Sequence, residues 1–417
     1  PPSGTDIPRY LNYFFITFLI YLVAVYLLRS HSKPMITVDD TKSYATQTRG
    51  YSNKLSLLIL LTLLMRLPFL FANPSPSLSD DIFRYWWDGK VQSHGINPYR
   101  YAPNDFPHKD LKVEPHSMIN HPNVPTIYAP FLQAIFYISY SIHPSIMGIK
   151  GAFILFELLT LLFIILWLKK QSLPLTYFII YGWNPLVILE IYNGGHTDSL
   201  LGLLLVLTIY LYQSSKKGWS LTTLALLTLT KYIGLIFLPF YYRKTSWRYF
   251  LLYFLIIGLF YLYYYDANMF TGLITYGRYW KYNSFLYRGL FELFNHEQIP
   301  KLLLGLLFIG IYWKKWWAAY KDDSLFGKSF IFIMACVLLF SPVFYPWYLV
   351  ILLPGLVIYY SRSWIVLSGL IYLSYIILIK YYAQGVWEED VFVILLEYIP
   401  FYTLLIYDYF QSKKTAH

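Results

Sequence analysis

The sequence predicts an all-α polytopic membrane protein, and three observations carry that prediction. The 417 residues are 57% hydrophobic and only 13% charged, with a mean hydropathy of +0.45, against roughly 25% charged residues in soluble domains. The apolar residues come in long runs, and 10–28, 171–189, 249–265 and 329–361 hold no charge at all. Runs approaching the ~20 residues that cross a hydrocarbon core read as spanning helices, and the last run is long enough for two short crossings. The 33 Lys and Arg exceed the 22 Asp and Glu by +11, and they sit largely in short hydrophilic stretches such as 29–54, 243–248 and 314–328. Basic loops stay beside anionic lipid on the cytoplasmic side. The pI of about 9.2 is therefore a topology signal, and no nucleic-acid partner is expected.

Charge interrupts the apolar runs at definite places, which sets the elements. Helices are expected near 10–28, 55–72, 147–168, 175–192, 199–213, 247–265, 300–317, 328–343, 346–360, 364–382 and 391–410. Segment 219–242 is apolar but basic on both flanks, so it cannot be one full crossing. It is expected to be a hairpin of two short helices broken near Lys231, since non-helical backbone at membrane depth survives only inside protein or beside a wet cavity. Segment 127–143 contains Pro130 and ends at His143-Pro144, which fits an external helix lying along the membrane surface. About eleven to thirteen crossings follow, with the C-terminus inside and the N-terminus outside. Two long polar-aromatic segments, 73–126 and 266–299, and two short turns, 193–198 and 383–390, are then external. With no internal repeat or low-complexity linker, residues 1–417 read as a single transmembrane domain. The first apolar run is too long, and lacks the small-residue site, for a cleavable signal peptide. The one cysteine, Cys336, permits no intrachain disulfide and no cysteine-based zinc site.

The densest chemistry is Ser79-Asp80-Asp81-Ile82-Phe83-Arg84-Tyr85-Trp86-Trp87-Asp88-Gly89, just past the second span. On a helix Asp81 and Tyr85 share a face, with Asp88 one turn further on. A carboxylate at the interface with a raised pKa can serve as a general base; the bland alternative is a helix start capped by Ser79 or Asp80. Lys231 lies inside an apolar run, where ionisable residues are functional candidates by default, although a lysine can also snorkel to the surface. Snorkelling is the expectation for Arg66, and a partner within the bundle is the expectation for Glu157. In the turn after Asn193-Gly194-Gly195, Asp198 is expected to cap the following helix, and His196 could meet an acceptor hydroxyl or a phosphate. Trp86, Trp87, Trp280, Trp347 and Tyr348 fall near the external interface, where belt residues explain most of them. Glu388-Glu389-Asp390 reads as a solvated acidic turn. There is no dense cluster with metal-ligand spacing; the one arrangement left open to a divalent ion is convergence of Asp80, Asp81, Asp88 and His196.

This pattern resembles a known family. The stretch from Ser79 to Gly89, followed by Gly95-Ile96-Asn97-Pro98-Tyr99-Arg100-Tyr101-Ala102-Pro103, resembles bacterial GT-C glycosyltransferases, and among them the polyprenyl-phosphate-mannose-dependent mannosyltransferases. Four further stretches are similar to segments of that family: Pro125 to Pro130, Trp183 to Leu186 with Asn193 to Asp198, Arg278 to Phe285, and Ser341 to Leu349. The resemblance spans roughly residues 55–410, and the first loop is its most specific part. Tyr345 departs from it, standing where the family is expected to have His.

The resemblance implies a GT-C fold and a membrane enzyme that moves a sugar, mannose, from a polyprenyl-phosphate carrier to an acceptor hydroxyl, with inversion. It places the active site on the extracytoplasmic face of the cytoplasmic membrane, built from loops 73–126 and 266–299. Asp81 suits the base, with Asp80 the second choice. Donor phosphate calls for a cation whose geometry matches it: Arg278 first, then Arg84, Lys281 and Arg288, with Lys231 a further candidate. Tyr85, Asp88, Tyr128, His196, Asp198, Trp280, Asn283, Tyr345, Trp347 and Tyr348 are the substrate-lining candidates. The lipid-linked sugar is a co-substrate, and no cofactor is implied. The acceptor, whether glycan, lipid or protein, is left open. Two other classes fit parts of the sequence. A flippase for lipid-linked sugar would show internal repeats and midplane charges; a polymerase or ligase acting on pyrophosphate-linked glycans would carry more external arginines.

Overall fold

The computed structural model describes residues 6–31, 55–72 and 78–414. Among them every regular element is helical, and the only strand-like pairing is an isolated parallel bridge between Tyr282 and Val343. Six helices are long and apolar enough to cross a bilayer singly: Ile7–Arg29, Ile146–Lys170, Gln298–Lys321, Asp323–Phe340, Arg362–Gln384 and Val391–Gln411. A bent pair, Leu175–Gly182 and Pro185–Asn193, makes a seventh span if counted as one. Shorter apolar helices occupy Leu55–Leu70, Asp198–Gln213, Tyr232–Tyr241 and Trp247–Tyr263. The fold is thus an all-α polytopic membrane domain. The expected basic cluster over 29–54 lies, from residue 32 onward, outside the described residues, as does the start of the first long loop at 73–77.

Several helices keep apolar side chains on the outer surface of the bundle. Leu302, Leu306, Ile309 and Trp313 of Gln298–Lys321 are exposed, as are Leu251, Phe254, Leu255 and Leu262 of Trp247–Tyr263. In water such faces would be costly; in lipid they are the ordinary outer surface. Arg362–Gln384 is mostly buried and sits centrally.

Three interruptions shape the interior. Pro185 follows Asn184, whose Oδ1 accepts from the Leu186 amide at 3.0 Å, so the helix stops and restarts with a bend of 55°. Lys231 is extended (φ −147°, ψ 124°) between Lys217–Thr230 and the 3₁₀ run Tyr232–Tyr241. The hydroxyl of Tyr241 bonds Ser220, so the second arm doubles back on the first, as the basic flanks of 219–242 require. The third interruption corrects an expectation. Segment 346–360 is no continuous span: it is a buried 3₁₀ run, Pro346–Ile351, followed by one short turn, Leu353–Leu356, and Pro354 inside it removes a backbone donor.

Arg66 is also corrected. It does not snorkel but is 2% exposed, paired with Glu157 at 2.6 Å and bonded to the carbonyls of Thr62 and Gly182. Tyr192 donates to the same carboxylate at 2.8 Å, so Glu157 has the bundle partners expected of it. This pair ties the second helix to Ile146–Lys170 and to the bent pair. Trp86, Trp87 and Trp347 are buried in protein, so they are not belt residues.

Candidate active site

The first long loop supplies the helix Asp81–Ser93, which is buried along most of its length. It lies against Pro130–Ile142 so closely that a Cβ on Gly89 would sit 2.5 Å from the Phe136 carbonyl, and only glycine permits the approach. Asp88 locks this pairing. It takes Arg84 Nε at 3.0 Å, Thr126 Oγ1 at 2.6 Å and Gln133 Nε2 at 2.9 Å. Arg84 also donates to the Val124 carbonyl at 2.9 Å. Asp88 and Arg84 therefore brace the loop, with Arg84 Nη2 left buried and without a hydrogen bond among the described residues.

At the helix start, Asp80 occupies the capping position but makes no capping bond. Its carboxylate instead shares a donor with Asp81. The side-chain nitrogen of Asn120 lies 2.8 Å from Asp80 Oδ1 and 2.7 Å from Asp81 Oδ1. Asp81 Oδ2 faces Tyr85 Oη at 3.4 Å and His196 Nδ1 at 3.8 Å. The Asp81 side chain keeps 20% of its surface accessible. Burial, and then the neighbouring Asp80 charge, push its carboxyl up to about 7 against the pull of Asn120. Burial raises Asp80 as well.

His196 is brought to Asp81 by the turn after the bent pair. The chain makes a wide π turn over Leu189–Asn193, a local form that recurs at functional sites. Gly195 then takes φ +68°, and a Cβ there would meet Ile82 at 2.5 Å, so the turn can press against the start of the Asp81 helix. His196 is fully buried, with Nε2 3.3 Å from Glu190 Oε2, and neither ring nitrogen makes a hydrogen bond among the described residues. Burial, with the Lys231 charge, pushes it down to about 3, so the ring is neutral. Its face stacks on Trp347 at 4.1 Å, Trp347 on Tyr345 at 4.4 Å, and Tyr345 on Tyr282 at 4.5 Å. Tyr345, at the family's expected His position, is one plane of this stack.

Asp198 does not cap its helix, which Thr197 precedes without a side-chain bond. It faces Lys231, with Oδ1 3.7 Å from Nζ. Lys231 Nζ also lies 3.7 Å over the Tyr348 ring, and Tyr348 shares a 2.7 Å hydrogen bond with Tyr276. Lys231 therefore does not snorkel away; it is the cation of the Asp81–His196–Asp198 group. Tyr276 in turn lies 5.4 Å from Trp280, which meets His121 edge-on at 4.6 Å.

The other site candidates are more dispersed. Arg278 is exposed, with no ion pair among the described residues and its guanidinium 6.0 Å from the Tyr279 ring. Lys281 pairs with Glu297, and Arg288 with Glu389 at 3.4 Å. Asn283 is buried, donating to Glu397 Oε2 at 2.7 Å, while its backbone amide donates to Glu389. Glu389 is thus not simply solvated. Tyr128 packs edge-on against Tyr85 at 5.1 Å and accepts from Tyr99 at its carbonyl. Asn120, Glu190 and Tyr276 escaped the sequence reading. Asn120 lies in an aperiodic loop, and Glu190 is a lone acid in an apolar run.

Buried carboxylates, a neutral imidazole and one ammonium, some with unsatisfied polar atoms, form a site that has polar contacts to give. Among the described residues no group of three or more His, Cys, Asp or Glu is arranged to hold a metal ion. No curated protein and no solved structure matches the chain significantly. Residues 20–244, over half of the chain and including Asp80, Asp81, Asn120, His196, Asp198 and Lys231, match the family model described as MptA_B family, alpha-(1->6)-mannopyranosyltransferase, N-terminal domain. The chain belongs to that family of GT-C type membrane glycosyltransferases.

Proposed function

We propose that the protein transfers a mannosyl group from a polyprenyl-phosphate carrier to an acceptor hydroxyl, on the extracytoplasmic face of the cytoplasmic membrane and with inversion at the anomeric carbon. The observation that carries this reading is the setting of Asp81: a carboxyl raised to about 7 and partly accessible, in a group that also holds Asp198 and the partly exposed ammonium of Lys231. In the proposed step Asp81 Oδ2 takes the acceptor's hydroxyl proton as that oxygen attacks the anomeric carbon. The bond from that carbon to the phosphate oxygen breaks, and the electron pair leaves with the polyprenyl phosphate. The leaving group gains a negative charge, which Lys231 meets in this reading, with the exposed Arg278 as the second cation for the phosphate's outer oxygens. Preorganised donors act most strongly where charge develops in the transition state. Asp80 holds the base's pKa near working pH, where general bases are most effective. The reading requires no metal or other cofactor.

The test is transfer by the purified protein in nanodiscs, with polyprenyl-phosphate mannose, a panel of mannoside acceptors, and chelator present or absent. The expected result is chelator-insensitive product of inverted configuration. Transfer only from another sugar carrier would overturn the mannosyl assignment, and lipid-linked sugar crossing the bilayer without any product would favour a flippase.

A further inference from the structure

The helix Gln298–Lys321 ends on Lys314, Lys315 and Lys321, and the helix packed beside it, Phe326–Phe340, starts with Lys328 in its first turn. Only residues 322–325 separate the two, so these ammoniums gather at one end of a helical pair. Lys315 is close enough to Lys314 and Lys328 to feel both charges. Its Nζ stands 4.1 Å over the ring of Phe332, an exposed residue one turn on from Lys328 and on the same face. The acids within reach are engaged elsewhere: Asp323 pairs with Lys217 and with Lys244 at 2.7 Å, and Asp322 accepts from the Ser324 amide at 2.9 Å. Lys314, Lys315, Lys321 and Lys328 therefore have no ion pair among the described residues. Like charges held together repel, and this cluster lacks an anion that the chain itself does not supply.

The surface leading to the cluster selects the anion. Leu303, Leu307, Gly310 and Lys314 follow one another at four, three and four residues, so they form one stripe along the helix, and all are exposed. A Cβ on Gly310 would meet nothing within 4 Å, so the stripe is open midway. Past Lys314 it runs on through Trp317 to Lys321, whose Nζ lies 5.1 Å over the Trp317 ring. The order is apolar, then small, then cationic and aromatic, which is the order of acyl chain, glycerol and phosphate in a phospholipid. Basic pockets between spanning helices hold anionic head groups, and tryptophan rings settle at head-group depth. A zwitterionic lipid would bring an ammonium of its own to the lysines, and a free phosphate would leave the apolar stripe uncovered. The cluster is also remote from the Asp81 group. The other end of this 24-residue helix, roughly 36 Å away, follows the loop whose Tyr276 bonds Tyr348.

We propose that this cleft is a specific site for an anionic phospholipid, with the phosphate between Lys314, Lys315 and Lys328 and one acyl chain along Leu307 and Leu303. The site is independent of the transferase reading. Its test is native mass spectrometry of the full chain in detergent with equimolar dioleoyl phosphatidylglycerol and dioleoyl phosphatidylcholine. Phosphatidylglycerol is retained at least tenfold better by the wild type. The triple variant Lys314→Gln, Lys315→Gln, Lys328→Gln loses that preference, and Lys328→Gln alone loses about fivefold, the worth of one basic residue beside an anionic head group. The pair Lys216→Gln with Arg248→Gln removes two other exposed cations and keeps the preference. Melting in phosphatidylcholine nanodiscs finds the triple variant no less stable than the wild type, because its lysines no longer repel. Equal retention of the two lipids, an unchanged preference in Lys328→Gln or the triple variant, an equal loss in the Lys216 and Arg248 pair, or displacement of the lipid by equimolar inorganic phosphate overturns the proposal.

Discussion

At Asp81 two demands compete: the carboxyl must be shielded enough to hold a proton near neutral pH, yet open enough to reach substrate. Burial and Asp80 raise its pKa to about 7, and Asn120 opposes them. As a base it works ionised, so kcat/KM should climb as pH rises through about 7. Asp80→Asn removes the repelling charge, and the rising limb should move to lower pH. Asn120→Ala removes the donor that stabilises the ionised form, and the limb should move to higher pH. The pH–rate profiles of the two variants check both signs. Linkage gives an independent check. A carboxyl raised by folding contributes stability fully below its unfolded pKa of about 4, and that stability is lost as pH rises toward 7. Asp81→Asn escapes the loss, so thermal melting at pH 8 should find it no less stable than the wild type. The paired aspartates were legible as a sequence motif. Asn120 was not, because it arrives from 39 residues away in a loop with no period to mark it.

At the scale of elements, the site is made from interruptions. The break at Asn184-Pro185 aims the π turn that carries Glu190 toward His196; the break at Lys231 delivers the ammonium; the proline-rich 3₁₀ run from Pro346 sets Trp347 against His196. Asn184 also donates to Ser368 Oγ at 2.9 Å, so Asn184→Leu removes a donor to that buried oxygen, which keeps its own bond to the Ile365 carbonyl, as well as removing a cap. A loss of about 0.5–2 kcal/mol is expected for the cap alone, read as a lower melting temperature. Lys231→Ala should weaken use of the donor roughly 10- to 150-fold, the range for one hydrogen bond to a charged group, with a smaller effect on acceptor KM. Arg278→Ala should act in the same direction; equal effects on donor and acceptor would move the phosphate site elsewhere. The basic flanks of 219–242 announced the break at Lys231. Nothing announced that 346–360 is irregular beyond its two prolines, since its charge-free composition is equally that of a buried span.

For the whole molecule, hydropathy and charge placed the helices but not their partners. Arg66 and Glu157 are 91 residues apart and meet in a fully buried pair; each read alone as a solitary charge in an apolar run. Glu157→Gln should leave Arg66 uncompensated and cost about 3–5 kcal/mol, whereas Arg66→Met with Glu157→Leu should recover most of that, measured by thermal unfolding in detergent. Of the four charge-free runs, 10–28 lies in a span, 171–189 in the bent pair, 249–265 in one of the shorter apolar helices, and 329–361 divides into the end of a span and an irregular buried segment. The family match and the buried acidic site agree on a membrane glycosyltransferase, and the claim at its centre is that Asp81 removes the acceptor's proton. That claim is tested most directly by mannosyl transfer from polyprenyl-phosphate mannose in nanodiscs, comparing wild type with Asp81→Asn at pH 8. A fall in kcat of about 10²–10⁴-fold with melting temperature retained is the predicted result; transfer by the variant within a fewfold of wild type would remove Asp81 from the chemistry.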